Sequence, residues 1–529
     1  MHILTPHHRL TASLATEPVE SACAPEDLLE GLARLDDPVM LDSAATDERL
    51  GRFTILACHP LDVLTIREDK LSDSRGRLVA AGSEQVWQAL SHALDIVRID
   101  GTAMPPCEYA PGWIGYIGYE VGRLIERLPS RAPRLTALPD LRLAFYDAIL
   151  VHDAIERSWQ LVTLRLDAAS LAALDCPGQH GEGAAAMQQL CRAGSARGAR
   201  VRLMGKMPMP RHHTDFEPAQ YAAAVQRCID YIAAGDIFQV NMTQRFTLAG
   251  APPATDIYRC LRRRNPAWFA AFMSFGMRTG ARGTGVPPVS SSAGSGHVQC
   301  EETHGQDAHA THGRDAHTTC AILSSSPELF LRVRGRHVIT RPIKGTRPRT
   351  GDASTDQAAA DELRASPKDN AELAMIIDLM RNDLGRVCRF GTVAVTQAAA
   401  LEAHPTVFHL VGTVEGTLRD DITHADLLKA TFPGGSITGA PKIRAMEIID
   451  ELEPCARGPY TGCIGIAGVN GRCEWNIAIR TIVCDGDNAY VHAGGGIVAD
   501  SSPQGEYQET LDKARALLEA IAMATVDKR

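Results

Sequence analysis

Two glycine-rich stretches have the composition of turns that bind an anion. Residues 432–442 and 492–498 each contain three glycines, and both lie close in sequence to predicted helices. Glycine has no Cβ, so backbone amides can approach an anion closely, and a helix N-terminus adds the positive end of its dipole. A tight turn without a ligand is the alternative interpretation of either stretch.

Acidic residues that could take part in chemistry come in two groups with helical spacing. Asp369 and Glu372 are three residues apart, and Glu506 and Glu509 repeat that interval, with Lys513 four residues further on. Side chains three or four residues apart share a helix face. Such spacing by itself is typical of a solvated helix face, so a functional assignment needs other support.

Histidine and aspartate also recur in a segment of low complexity over residues 278–320. The octets 304–311 and 312–319 are nearly identical, and imidazole with carboxylate at short spacing can chelate zinc, nickel or copper. A repetitive loop lacks the surrounding hydrogen bonds that orient metal ligands. We therefore expect an insertion into a hairpin between two strands, and deleting Arg278–Thr319 in favour of a four-residue turn should leave activity intact. A non-catalytic metal-binding protein is the alternative.

The elements that would position the functional residues can be predicted in part. Apolar side chains recur at helical spacing over residues 218–234, which predicts a helix. Alternation over 237–243 predicts a strand with Gln239, Asn241 and Thr243 on one polar face. A polar face of this kind suits a strand that borders a cleft.

The chain of 529 residues is longer than one hydrophobic core usually supports. Short apolar runs separated by loops predict a β-rich region over residues 1–167. A stretch rich in Ala, Gly, Gln and Arg predicts a linker over 168–213. The catalytic region should follow over 214–523, interrupted by the insertion at 278–320.

Composition excludes several classes of function. The net charge of −9 argues against nucleic acid as the main partner, because phosphate binding needs clustered cations. We find neither an apolar run near 20 residues nor a secretory signal at the N-terminus, so we expect no membrane contact and a cytoplasmic location. The 14 cysteines are scattered singly, which favours free thiols.

Motifs spread over about 300 residues identify a family resemblance. The chain resembles the chorismate-utilising enzymes, which include anthranilate, aminodeoxychorismate, isochorismate and salicylate synthases. The matching blocks keep one order along the chain: Gly235–Phe246, Ser324–Phe330, Arg341–Arg349, Lys368–Glu372, Asp378–Leu384, His409–Gly416, Thr438–Lys442, Tyr460–Gly462, Asn476–Arg480 and Gly494–Lys513. The resemblance implies an α+β fold: a large β-sandwich flanked by helices, with the active site in the cleft between two interleaved subdomains.

The resemblance also implies a magnesium site. Glu372 and Glu509 correspond to direct ligands, while Asp369 and Glu506 correspond to carboxylates that act through water. Mg²⁺ prefers oxygen ligands, keeps several waters and is commonly held by one or two carboxylates with an anionic substrate group. The ion would connect the protein to the ring carboxylate of chorismate.

Further residues correspond to the substrate-binding groups of the family. Tyr460 and Arg480, with the backbone at Gly439 and Gly495, would bind the second carboxylate, the arginine through its planar fork. The remaining predicted contacts are Gln239, Thr346, Thr438 and Lys513. Glu328 resembles the general acid that protonates the departing 4-hydroxyl, and His409 resembles the histidine that assists it.

Lys344 indicates the branch of the family. The block Pro-Ile-Lys-Gly-Thr at 342–346 resembles aminodeoxychorismate synthases, whereas anthranilate synthases show alanine at this position. The lysine would attack the ring carbon from which the hydroxyl leaves, giving a covalent intermediate that ammonia displaces. Gln239 stands where isochorismate and salicylate synthases show a basic lysine, which disfavours water as the nucleophile.

The source of ammonia must then be another protein or ammonium salt. No Gly-x-Cys-x-Gly turn of a glutamine amidotransferase occurs in the sequence, so we expect a separate amidotransferase subunit as partner. Anthranilate synthase component I is the alternative function, and the product distinguishes the two.

Overall fold

The computed structural model describes residues 9–45, 47, 50–100, 108–174, 177–193, 212–277 and 318–526. Within these ranges two large β-sheets are surrounded by helices, so the predicted α+β architecture is confirmed. The histidine-rich octets, and with them the alternative of a metal-binding loop, lie outside the described residues.

The helices follow the apolar periodicity that the sequence shows. They are α1 Pro25–Leu32, α2 Ser83–Leu94, α3 Ala168–Ala173, α4 Glu182–Ala193, α5 Pro218–Ala233, α6 Ala254–Arg264, α7 Ala353–Ala365, α8 Pro367–Gly385, α9 His424–Thr431, α10 Lys442–Leu452 and α11 Pro503–Val526. The helix predicted over 218–234 is confirmed as α5. Pro218 opens it, because proline at the first helical position lacks only a donor that the helix leaves unused there.

The strands divide between two sheets. The first sheet contains, in spatial order, β12 His213–Thr214, β13 Gln239–Ala249, β25 Asn488–Ile497, β24 Thr481–Asp485, β15 Thr318–Ser326, β14 Phe269–Met277, β2 Val39–Asp42, β3 Phe53–Ala57, β10 Ala148–Asp153, β11 Ser158–Leu166, β1 Leu10–Val19 and β7 Val97–Ile99, with β21 Gly439–Ala440 paired to β13. The second contains β18 Ile343–Pro348, β20 Val407–Thr417, β17 His337–Arg341, β16 Leu329–Arg334, β23 Cys473–Asn476, β22 Cys463–Gly468, β8 Gly112–Ile117, β9 Leu141–Tyr146, β4 Asp62–Arg67, β5 Lys70–Ser72 and β6 Leu78–Ala81, with β19 Ala394–Ala403 paired to β20.

The N-terminal and C-terminal parts of the chain share both sheets. Strand β2 pairs with β14 in the first sheet, and β8 pairs with β22 in the second. Large aromatic side chains from both parts fill the core, among them Trp113, Phe272 and Trp475. Strands β2 and β8 therefore gain their second hydrogen-bonded neighbour only when the C-terminal region is folded beside them.

The predicted linker is wrong in its first half. Residues 168–193 include α3 and α4, and α4 buries Met187, Leu190 and Cys191 against the first sheet. Its apolar side chains are separated by small and polar residues, so the sequence shows only a weak helical pattern. Helix formation there depends on packing against the sheet, which local composition does not reveal.

Strands β14 and β15 form the predicted hairpin around the insertion. They pair antiparallel from Phe269 with Ser326 to Met277 with Thr318. Strand β15 begins at Thr318, so residues 318–320 belong to the sheet and not to the insertion as predicted.

We expect that replacing residues 279–316 by a four-residue turn preserves turnover. Paired strand ends lie close enough for a short turn to join them. Closing a shorter loop costs less entropy, so the free energy of unfolding should rise by up to about 2 kcal/mol. Denaturant unfolding and steady-state kinetics measure both effects, and a folded but inactive shortened chain would contradict the expectation.

Among the residues that the structure describes, no helix is both long enough and apolar enough to span a membrane.

Candidate active site

Helix α8 presents the first acidic group. The Ser366 hydroxyl accepts a hydrogen bond from the backbone N–H of Asp369, and Pro367 occupies the first helical position, so the helix begins here. Asp369 and Glu372 consequently lie in its first turns. Buried apolar residues further along the helix, including Ile377, pack towards strand β20 and fix the direction of the helix.

Helix α11 and strand β25 present the second acidic group. The Ser501 hydroxyl donates to one carboxylate oxygen of Glu506 at 2.6 Å, while the other oxygen is buried without a hydrogen-bond partner in the described structure. A Cβ at Gly495 would lie 2.8 Å from that second oxygen and 3.2 Å from Glu509 Oε1. A side chain at this position would force a carboxylate to move, because both carboxylates face the same point of the backbone.

Lys344 on β18 meets the acidic groups across the junction of the two sheets. Its Nζ atom lies 3.9 Å from Glu372 Oε2. A Cβ at Gly496 would come within 3.2 Å of this Nζ and 2.3 Å of the Gln239 amide nitrogen. Burial lowers the pKa of Lys344; Glu372 opposes that shift, and Lys513 adds to it. A lowered pKa increases the fraction of the amine that is neutral and able to act as a nucleophile.

Glu328 is a buried carboxyl beside this lysine. Only 4% of its surface is exposed, and the Ser436 hydroxyl donates to its Oε1 at 2.6 Å. Burial raises the pKa of Glu328 to about 7, although Ser436 and the charge of Lys344 act against the shift. A carboxyl that keeps its proton near neutral pH can serve as a general acid.

We expect the rate of the proton-dependent step to fall about tenfold per pH unit above pH 7, as Glu328 loses its proton. In Ser436→Ala the Glu328 carboxylate loses a hydrogen-bond donor, so its pKa should rise. The decrease in rate should then begin at a higher pH. A pH–rate profile at constant free ammonia measures the shift. If the rate of Ser436→Ala begins to decrease at the same pH as that of the parent enzyme, Glu328 is not the titrating acid.

His409 on β20 lies opposite Thr346 on β18. The strand register pairs the two residues, and the Thr346 hydroxyl lies 2.9 Å from His409 Nδ1. His409 is only 2% exposed, and its Nε2 has no partner among the described residues. Burial holds the pKa of His409 well below its usual range, and the charge of Arg480 adds to the effect. The ring is therefore neutral, with one nitrogen available to a ligand.

Arg480 is a half-buried guanidinium that has no acidic partner among the described residues. It donates to the amide oxygen of Asn265 at 3.3 Å. Burial lowers its pKa to about 10. An unpaired cation inside the protein is costly, so this position suits a ligand carboxylate.

The glycine-rich turn after β20 crosses β13 closely. Gly439 has a φ of +150°, and a Cβ there would lie 2.1 Å from the carbonyl oxygen of Gln239. The Asn241 N–H donates to the carbonyl of Thr438 at 2.7 Å, which holds the turn against the strand. Tyr460 is buried and stacks on the ring of His492 at 5.1 Å, on the strand that carries Gly495. The predicted polar strand face thus borders the site.

Cations separate the predicted metal ligands in this structure. Lys513 pairs with Glu509 at 2.7 Å, and Arg347 pairs with Asp369 at 3.1 Å. Glu372 lies 4.0 Å from Lys368 in addition to its contact with Lys344. Among the described residues, no group of three or more acidic, histidine or cysteine side chains is arranged to hold a metal ion by itself.

The acidic residues nevertheless suit a weakly held Mg²⁺. Glu506 offers a buried oxygen that lacks a partner among the described residues, and it faces Gly495 together with Glu509. Burial raises the pKa of Glu372, and the nearby charge of Glu509 adds to that shift. Magnesium needs only one or two protein carboxylates when substrate and water complete its shell. The residues fit the ion if Lys513 releases Glu509.

Several residues near the site were not predicted from the sequence. Asn265 and Trp268 lie far along the chain from the matching motifs, and no local pattern marks them. Lys368 and His404 lie close to predicted residues but carry no spacing of their own. Ser436 lies within a glycine-rich stretch, where a hydroxyl next to a buried acid could have been noticed.

Known proteins resemble this chain over most of its length. The chain matches the chorismate binding enzyme family over residues 38–285 and 309–519. Anthranilate synthase component 1 of Cereibacter sphaeroides is 34% identical over 523 residues, covering 97% of this chain and 93% of the relative. Aminodeoxychorismate synthase component 1 of Salmonella typhimurium is 34% identical over 480 residues, covering 91% of this chain and 92% of the relative.

A solved structure extends the similarity to the fold. Anthranilate synthase component I of Streptococcus pneumoniae superposes with a TM-score of 0.68 at 27% identity, covering 90% of this chain and 94% of the other. Sequence and fold agree over nearly the whole length. The chain therefore belongs to the chorismate binding enzyme family.

Proposed function

We propose that this protein aminates chorismate to 4-amino-4-deoxychorismate, as component I of an aminodeoxychorismate synthase in the synthesis of p-aminobenzoate and folate. The observation that carries the proposal is the position of Lys344. A buried lysine with a lowered pKa lies 3.9 Å from Glu372 and faces the same backbone glycine as Gln239. Its neutral amine can act as the nucleophile.

The arrangement supports a two-step exchange at the ring. In the first step the Lys344 nitrogen forms a C–N bond to the ring while the C–O bond to the 4-hydroxyl breaks. Glu328 gives its proton to the departing oxygen, so water leaves. In the second step ammonia forms a C–N bond at the 4 position and the lysine nitrogen leaves. The proton lost by ammonia returns the site to its starting state through Glu328.

His409 assists the leaving hydroxyl in this mechanism. Its neutral ring keeps Nδ1 on Thr346, and Nε2 has no partner among the described residues. A hydrogen bond from Nε2 to the departing oxygen would stabilise the charge that develops there. Nε2 can donate only in the tautomer whose Nδ1 carries no proton and accepts from the Thr346 hydroxyl.

Arg480 and the magnesium site would orient the substrate. Arg480 has no acidic partner in the part of the chain that the structure describes, so its guanidinium can bind one chorismate carboxylate. Glu372 and Glu509 would hold Mg²⁺ directly, with Asp369 and Glu506 acting through water. Bound there, Mg²⁺ would neutralise the charge of the ring carboxylate.

Ammonia would come from a glutamine amidotransferase partner. Both relatives named above are called component 1, a name that implies a second component. This chain lacks the Gly-x-Cys-x-Gly turn that such a partner would contribute. Free ammonium salts should replace the partner in solution.

Anthranilate synthase is the second candidate function. Relatives with that name are as similar to this chain as relatives named aminodeoxychorismate synthase. Incubation with chorismate, Mg²⁺ and ammonium salt, followed by mass identification of the product, separates the two. We expect 4-amino-4-deoxychorismate, which retains the enolpyruvyl group. Anthranilate as the main product would overturn the proposal.

A further inference from the structure

We propose that His404 is a positioning residue that fixes the ring plane of His409. The His404 ring lies between Trp268 and His409, and no motif of the family resemblance includes either His404 or Trp268. The inference rests on the proposed function, because it concerns the histidine assigned to the leaving group.

The contacts on both sides of His404 are close. Its ring centroid lies 4.9 Å from that of His409, with an interplanar angle of 76°, so the two imidazoles meet edge to face. On the other side the Trp268 ring lies at 4.1 Å and 38°. His404 is only 3% exposed. An aromatic ring held on both sides in this way has little freedom to rotate.

His409 needs such a restraint. Its Nδ1 is held by Thr346, but its Nε2 has no partner in the described structure. A ring anchored at one nitrogen can still tilt about that hydrogen bond. The edge of His404 limits this motion and directs the free nitrogen into the site.

The backbone of His404 is itself anchored to the strand that carries Lys344. Arg349, at the end of β18, donates its guanidinium to the carbonyl of His404 at 2.5 Å and its backbone N–H to Thr406 at 2.8 Å. The His404 N–H donates to Val407 and closes the turn between β19 and β20. His404, which restrains His409, is therefore tied to the end of the strand that carries Lys344.

Burial lowers the pKa of His404 to about 4, and the charge of Arg480 acts in the same direction. Both imidazoles are therefore neutral and can pack without repulsion. The contact needs the shape of the ring at position 404, since its Nε2 has no partner among the described residues.

The test compares His404→Ala with His404→Phe in the full-length chain, with ammonium salt as nitrogen source. We expect His404→Ala to lower kcat about 10- to 100-fold, with KM for chorismate changed by less than about twofold, because misplacement affects the transition state more than binding. His404→Phe keeps an aromatic edge and should restore kcat to within about threefold of the parent. Equal damage in both variants would overturn the proposal, as would an unchanged kcat in His404→Ala.

A double-mutant cycle tests whether His404 affects turnover through His409. In a His409→Ala background, His404→Ala should cause no further loss, since there is no ring left to position. Additive losses would overturn the proposal. An unchanged kcat in His409→Ala alone would also overturn the proposal. The identity of the product tests the proposed amination independently of both histidines.

A matched control addresses simple loss of packing. His152 stacks on Trp159 at 4.6 Å, away from the site. His152→Ala should lower the melting temperature without changing kcat. Should His404→Ala fail to fold, His404→Leu keeps the volume without a ring and carries the same expectations.

Discussion

Lys344→Ala is expected to lower the rate of 4-amino-4-deoxychorismate formation by about 10³-fold or more, since it removes the nucleophile of the proposed covalent route. The lysine is buried and lies against Glu372, where the proposed attack on the ring takes place. Because that attack is part of the chemical step, its loss should lower kcat. Mass spectrometry of the product formed with saturating chorismate, Mg²⁺ and ammonium salt measures it. The variant should fold, because Glu372 keeps Lys368 at 4.0 Å and Glu328 keeps the Ser436 hydroxyl as a hydrogen-bond donor.

Lys344→Arg separates nucleophilic from electrostatic roles. Arginine keeps the positive charge beside Glu372 but stays protonated and cannot attack the ring. We expect this variant to be as inactive as Lys344→Ala. Recovery of a tenth or more of the parent rate in Lys344→Arg would show that the lysine acts only as a charge. A trapped adduct between the parent enzyme and chorismate, localised to Lys344 by peptide mass, would support the covalent step directly.

Glu372→Gln and Glu509→Gln are each expected to lower turnover about 10²-fold and to raise the Mg²⁺ concentration that gives half-maximal rate. Each change removes one negative oxygen of the proposed ligand pair while keeping the shape of the side chain. Titration of turnover with Mg²⁺ measures the shift, and excess metal should restore part of the rate. Calorimetric titration with Mg²⁺ and chorismate together checks binding without turnover.

A control on the same helix distinguishes ligand loss from a change in surface charge. Asp512 is on α11, pairs with Arg515 and is about as exposed as Glu509. Asp512→Asn should leave the magnesium dependence unchanged. Equal magnesium dependence in Glu509→Gln and in the parent enzyme would refute the role of Glu509 as a ligand.

Local sequence patterns predicted the elements that carry the acidic groups. Periodicity and spacing predicted that Asp369 and Glu372, and separately Glu506 and Glu509, lie on helix faces, and α8 and α11 carry them. Alternation predicted the strand beginning near Gln239. These predictions succeeded because side chains three or four apart on a helix, or two apart on a strand, are neighbours whatever the rest of the fold does.

Patterns failed where packing decides the structure. The helix α4 was predicted as linker, because its apolar residues are few and gain their burial from a sheet distant in sequence. The ion pair between Arg347 and Asp369 was missed for a similar reason, because β18 brings Arg347 to α8 only in the folded chain. The pair of Lys513 with Glu509 is local to α11 and follows from their spacing of four residues.

The sequence by itself determined the family, through motifs in a fixed order, and the local elements that bear the reactive groups. Only the tertiary structure placed Lys344 against Glu372, brought Arg480 to Asn265 and packed Trp268 on His404 beside His409. The contacts of Lys344 with Glu372 and of Trp268 with His404 join residues that are tens of positions and more than a hundred positions apart. Their distances and buried charges arise from packing and desolvation, which depend on the whole fold and not on any local pattern.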